Sequence, residues 1–173
     1  MSGIILYKSK YGATKKYADW IAEKTGFECI KTDEADIRKV QEYDVIILGG
    51  GVYASGIAGL SFLKKNISKL KDKKIIVFFT CASPYDQKTV DATIKFNFKG
   101  ELEGIPCFYT RGTFDMKEMT FKDRTLCKML RKAVSKKNPE DYEPWEMGLM
   151  AVGENERGDW IDKSYIDPII EVI

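Results

Sequence analysis

Three short segments hold the residues whose types and spacing could do chemistry. The first is Ser9-Lys10-Tyr11-Gly12-Ala13-Thr14, directly after an apolar run and directly before a helical pattern. Two hydroxyls and a glycine at a helix start make an anion cradle. Ser9 and Thr14 can donate hydroxyl protons, Gly12 permits a tight turn, and the unpaired N–H groups and helix dipole favour negative charge. The same letters also describe an ordinary Ser/Thr cap with a turn glycine. The second segment runs from Gly49 to Gly56. Its glycines let backbone approach a flat ligand closely, and Tyr53 offers a π-face, with Gly51, Val52, Ala54 and Ser55 around it. A plain turn with Tyr53 as a rim aromatic is the other reading. The third segment, Thr80-Cys81-Ala82-Ser83-Pro84-Tyr85, supplies small residues, hydroxyls and another aromatic. Cys81 has no evident resolving partner and reads as an inert thiol.

Other phosphate-binding patterns fit less well. Gly-x-x-x-x-Gly-Lys-[Ser/Thr] is absent, which argues against a P-loop NTPase. Gly49, Gly51 and Ala54 imitate a dinucleotide fingerprint but follow a middle strand, with the next helix several residues too late. A receiver domain needs acidic residues after its first strand and an aspartate after its third, where this chain has Lys8, Ser9 and Gly49 to Gly51. Histidine is absent altogether, so the commonest general base and metal ligand are missing, and no metal site is expected.

The elements that must position these segments are legible as apolar runs. Gly3 to Tyr7, Asp44 to Leu48, and Ile75 to Phe79 look like parallel strands buried on both faces. Ile105 to Tyr109 is a fourth candidate, and Phe27 to Ile30 a fifth, placed by its position between helices. Helical spacing follows Thr14 through Ile21 to a closing Gly26, marks Leu60 to Leu70, and runs from near Asp86 toward Phe96. Trp160 to Ile170 predicts a closing helix that Pro168 would bend. The alternation predicts an open α/β sheet of five parallel strands with right-handed crossovers. The chemistry-bearing segments then fall beyond the carboxyl ends of the strands, where such sheets bind ligands.

Residues 115–158 interrupt the alternation and read as an insertion within one domain spanning 1–173. Phe121, Leu126, Met129, Leu130 and Val134 form an apolar stripe on a basic helix, and Leu149 to Val152 suggests one extra strand. Between Lys117 and Lys137 eight basic residues face only Glu118 and Asp123. That stretch therefore carries +6 in a chain of net charge +2, leaving −4 for the rest. The stripe is expected to pack on the sheet with its lysines in water; an anionic membrane surface is the other place for such a helix. Nucleic acid is not an expected partner, because the aromatics are not spaced as stacking platforms. With no apolar span, no basic leader and four scattered cysteines, the expectation is a cytoplasmic protein with buried free thiols. Membrane association through residues 117–137 stays open.

With Ser9-x-Tyr11-Gly12-x-Thr14 after its first strand, the chain resembles the flavodoxin family, whose phosphate loop reads Thr/Ser-x-Thr-Gly-x-Thr. Gly50 to Ser55 is similar to the family's first isoalloxazine-binding loop, and Thr80 to Tyr85 to the second. Tyr11 departs from the family's usual threonine. The resemblance implies a flavodoxin-like three-layer sandwich of strand order 2-1-3-4-5, with the insertion after the fifth strand. It also implies FMN as cofactor, held by Ser9, Lys10, Tyr11, Gly12, Ala13 and Thr14, by Gly51, Val52, Tyr53, Ala54 and Ser55, and by Thr80, Cys81, Ala82, Ser83 and Tyr85. Electron transfer with a redox partner protein or quinone follows. A narrower resemblance, carried by Ile47-x-Gly49-x-x-Val52-Tyr53, the basic helix and Trp145, is to the flavodoxin-type protoporphyrinogen dehydrogenases. These are quinone-linked, membrane-associated FMN enzymes of heme biosynthesis.

Overall fold

The computed structural model describes residues 1–173. Its central sheet contains β1 (Gly3–Lys8), β2 (Glu28–Lys31), β3 (Val45–Tyr53), β5 (Lys74–Cys81) and β6 (Cys107–Arg111), all parallel, in the order β2-β1-β3-β5-β6. Counting only these five, the order is the expected 2-1-3-4-5. A two-residue strand, β4 (Gly56–Ile57), pairs antiparallel with the end of β3.

The apolar strands are buried on both faces, as their near-continuous Ile, Leu and Val content requires. One face buries Ile4, Leu6, Ile46, Leu48, Val77 and Phe79 under α3 (Leu60–Asn66), α4 (Gln87–Asn97) and the short α2 (Ile37–Val40). The opposite face buries Ile5, Ile47, Ile76 and Phe78 under α1 (Ala13–Thr25) and the carboxyl-terminal α7 (Asp167–Glu171).

Several boundaries differ from the sequence reading, each for a physical reason. The fifth parallel strand is Cys107–Arg111 rather than Ile105–Tyr109. Pro106 lacks an N–H and enters the sheet only as an acceptor, for Val77 N–H at 2.9 Å. Gly49 to Tyr53 is not a loop. β3 continues through it, with Gly49, Gly50 and Gly51 opposite Phe78, Phe79 and Thr80. The closing helix is one short turn after a 3-10 segment (Lys163–Ile166), and Pro168 helps start it, where its missing N–H costs nothing.

The insertion is bracketed by an antiparallel pair, β7 (Thr113–Asp115) and β8 (Arg157–Asp159), which holds its two ends together. Between them lie α5 (Phe121–Val134) and α6 (Pro144–Met150). The strand expected at Leu149 to Val152 is thus absent. Pro144 at the first helical turn and a reciprocal Glu143/Glu146 capping box start a helix there instead. Phe114, Met116, Val134 and Leu149 form a small separate core. The four cysteines are unpaired and half-buried rather than buried.

One core atom stands out. The Thr32 hydroxyl is buried against Gly59 with no hydrogen-bond partner. Thr32→Val removes that orphan and is expected to raise the unfolding free energy by about 1 kcal/mol in urea. A loss of stability would mean that the hydroxyl has a partner after all.

Candidate functional site

The carboxyl ends of β1, β3, β5 and β6 lie along one edge, and the three segments meet there. Gly12 precedes α1 with φ 94°, a left-handed conformation that a side chain would oppose. Its N–H donates to Ser9 Oγ at 3.0 Å, so Ser9 already stands where an anion oxygen would. Thr14, in the first turn of α1, is only 2 % exposed. The Lys10 N–H donates to Tyr53 Oη at 3.2 Å and ties the first segment to the second. The Lys10 ammonium lies 5.5 Å from the Tyr11 ring centroid and 5.8 Å from that of Tyr53.

Tyr53 ends β3 with its phenol folded back across Gly51, where a built Cβ would fall 2.6 Å from the hydroxyl. Burial pushes this phenol up, so it stays neutral. Ala54 and Ser55 then make the turn into β4 at φ 46° and 67°, left-handed for both. Asn97 at the end of α4 clamps this hairpin. It accepts from Ile57 N–H at 3.0 Å and donates to the Ser55 carbonyl at 2.8 Å.

The third segment departs from expectation at its start. Thr80 and Cys81 are the last residues of β5, and the Thr80 hydroxyl is buried against that of Thr110 at 2.8 Å. Its side chain therefore serves the sheet rather than the edge. Burial pushes the Cys81 thiol up to about 11, which keeps it protonated and agrees with an inert thiol. The carbonyls of Cys81, Ala82 and Ser83 accept from Gly112 N–H at 2.8 Å, Arg111 Nε at 3.3 Å and Tyr109 Oη at 2.6 Å. Tyr85 stands edge-on to Tyr109 at 5.4 Å and hydrogen-bonds Gln87, on the α4 side of the segment.

The insertion reaches both outer segments. On α5, Asp123 accepts hydrogen bonds from the Lys10 ammonium and the Tyr11 hydroxyl. Those bonds, Lys10's first, hold its carboxyl below the usual range, so it is ionised. On α6, Gly148 abuts the third segment so closely that a Cβ would meet Ser83 N and Cα at 2.9 Å. Beside this, the Arg111 guanidinium stacks 4.4 Å over Trp160, in a cleft of about 450 Å³ that Asp162 and Tyr165 also line.

Asp123, Asn97, Arg111 and Gly148 were not found from sequence. Only Asp123 carried a signal, as the single acid on a basic helix. Chemically, the start of α1 with Ser9, Thr14 and Lys10 can hold an anion. The Gly51–Tyr53 edge can lie against a flat ring.

A parallel sheet of this order, flanked by helices on both faces, defines the flavodoxin-like class of open α/β domains. The chain belongs to the flavodoxin domain family, whose model matches residues 4–142. No curated protein matches it. Among solved structures it is similar to two-electron reduced Megasphaera elsdenii flavodoxin, at 20% identity, covering 63% of this chain and 83% of that one, TM-score 0.46. It is similar to a WrbA-like flavodoxin from Agrobacterium tumefaciens at 18% identity, covering 71% and 87%, TM-score 0.47. A Lactobacillus acidophilus flavoprotein in complex with FMN matches at 21% identity, covering 64% and 91%, TM-score 0.40.

Proposed function

We propose that this protein binds FMN at the edge just described and exchanges electrons with a redox partner. The observation that carries the reading is the family's phosphate motif, Ser9 to Thr14, opening α1 while its Lys10 N–H meets Tyr53 of the second segment at 3.2 Å. When bound, FMN supplies one- or two-electron transfer. The chain's own groups do the rest. The first turn of α1 holds the phosphate with Ser9, Gly12 and Thr14. Tyr53, tied to Lys10 N–H, would line the ring, and Gly51 to Ser55 would offer backbone groups to its N5 edge. Ala82, Ser83 and Tyr85 form the opposite wall.

Titration of the purified protein with FMN, followed by absorbance and fluorescence quenching, tests this directly. One flavin per chain is expected, and Thr14→Val should weaken binding by ~10-fold, the loss of about one good hydrogen bond. No uptake of FMN would overturn the reading. Quinone-dependent dehydrogenation of protoporphyrinogen IX is the second reading, favoured by the insertion that touches the first and third segments. Turnover by the FMN-loaded protein with a quinone acceptor decides between them.

Asp123 gives a sharper expectation. Its carboxylate occupies Lys10 and Tyr11 at the rim of the cradle, where it opposes an incoming dianion. Asp123→Asn keeps an acceptor there but removes the charge, so FMN should bind about 3- to 10-fold more tightly. Riboflavin, which lacks the phosphate, should bind as before. Equal effects on both ligands would show that Asp123 acts on the ring site or the fold instead.

A further inference from the structure

Helix α5 is packed with its polar side inward. The side facing the protein carries Val134, half-buried Cys127 and two arginines. Arg124 donates to the carbonyls of Met116, Lys117 and Met119, and Arg131 to those of Leu149 and Val152. These bonds, with Asp123 on Lys10 and Tyr11, fix the helix and leave its apolar stripe in solvent except for Val134, which turns into the insertion's small core. At 3.6 residues per turn, Leu126, Met129, Leu130 and Ala133 share one face. Leu126 is 54 %, Met129 66 % and Leu130 36 % exposed, and Phe121 at the helix start is 86 % exposed. The expectation that this stripe packs on the sheet is therefore wrong, because the arginine-to-carbonyl bonds turn it outward.

What covers such a face is constrained by charge. Lys122, Lys128, Lys132 and Lys136 flank the strip on its outer side, Lys128 alone of them meeting an acid, Glu154 at 3.7 Å. The helix's only acid is the one spent on Lys10 and Tyr11. A second copy would bring like charges together. A convex helix ridge with lysines beside an apolar strip also presents no groove for a protein segment. We propose that this face docks on an anionic membrane surface. The helix lies in the interfacial plane, with Phe121, Leu126, Met129 and Leu130 at the headgroup–acyl boundary and the lysines snorkelling to lipid phosphates. No helix of the chain is long and apolar enough to cross the membrane. The inference stands apart from the cofactor reading and needs no flavin.

The test is co-sedimentation of the full chain with vesicles of phosphatidylcholine alone or with about a third phosphatidylglycerol. At least ~10-fold stronger binding to the anionic vesicles is expected, weakened in ~0.5 M salt. The triple variant Leu126→Gln, Met129→Gln, Leu130→Gln should lose ~10-fold or more of that binding while keeping its unfolding midpoint, because the three side chains already face water. Replacing Lys122, Lys128, Lys132 and Lys136 with Gln should abolish the preference for anionic lipid. The proposal is overturned by no anionic binding, or by a triple variant that binds like the parent. It is equally overturned by binding to soluble polyglutamate that matches the vesicles, or by a dimer in sedimentation velocity that the triple variant dissolves.

Discussion

Gly50→Ala will cost about 3 kcal/mol or more of folding free energy, the upper end of what one added methyl group does to a packed core. Gly50 lies mid-sheet in β3, between Lys8 of β1 and Phe79 of β5. A Cβ there would fall 2.1 Å from the Ala58 carbonyl oxygen and 2.7 Å from Ile57 Cγ2. The nearer obstacle is backbone, and it cannot rotate away like a side chain. It is also tied down, since the Ala58 N–H donates to the Gly51 carbonyl at 2.9 Å. The strain must therefore move the β3–β4 hairpin or part the sheet. Against a typical stability of about 5–15 kcal/mol, the midpoint of urea unfolding should fall steeply. A cost below about 1 kcal/mol would mean the hairpin yields freely, and would contradict the rigid placement of Tyr53.

Asn97→Ala strikes the same hairpin from the other side. Removing the amide leaves the Ile57 N–H and the Ser55 carbonyl without their partners, and Ile57 is buried. A stranded group costs about 1–3 kcal/mol. Ile57 N–H bears it in full while exposed Ser55 can turn its carbonyl to water, so a total of about 2–4 kcal/mol is expected. The turn it releases is already unfavourable, because Ala54 and Ser55 occupy the left-handed region that hairpins usually assign to Asn-Gly. Hydrogen exchange should report this locally. The Ile57 amide should lose protection well before the amides of β1 and β5, and FMN affinity should fall with it. Unchanged protection at Ile57 would show that another group holds the turn.

Where a strand is buried on both faces its letters are nearly all apolar, which is why Ile4 to Tyr7, Val45 to Leu48 and Ile75 to Phe79 could be read directly. The turn that opens α1 was equally readable, because Ser9 and Gly12 act through local backbone. Long-range facts were not. Gly49 to Gly51 looks like loop, yet the glycines continue a strand because neighbouring elements leave no room for side chains. Asn97 has no local signature for its clamp, since its partners in the hairpin lie about 40 residues away. The α5 stripe misled in the opposite way. Periodicity shows that a helix has an apolar face, but Arg124 and Arg131, which read simply as surface charge, decided where that face points. At α6 the signal existed in Glu143, Pro144 and Glu146, a helix start hidden by the apolar letters after it.

The insertion is joined to two segments of the edge proposed for FMN, through Asp123 at Lys10 and Tyr11 and through Gly148 at Ser83. These contacts give the proposed lipid face and the proposed FMN edge a physical connection. Whatever factor a lipid surface imposes on FMN affinity, FMN must impose on lipid affinity, because linked binding free energies are reciprocal. A titration with vesicles in the presence and absence of FMN would measure that shared factor from either end. A value of one would mean that the contacts at Asp123 and Gly148 are the same in every ligated state.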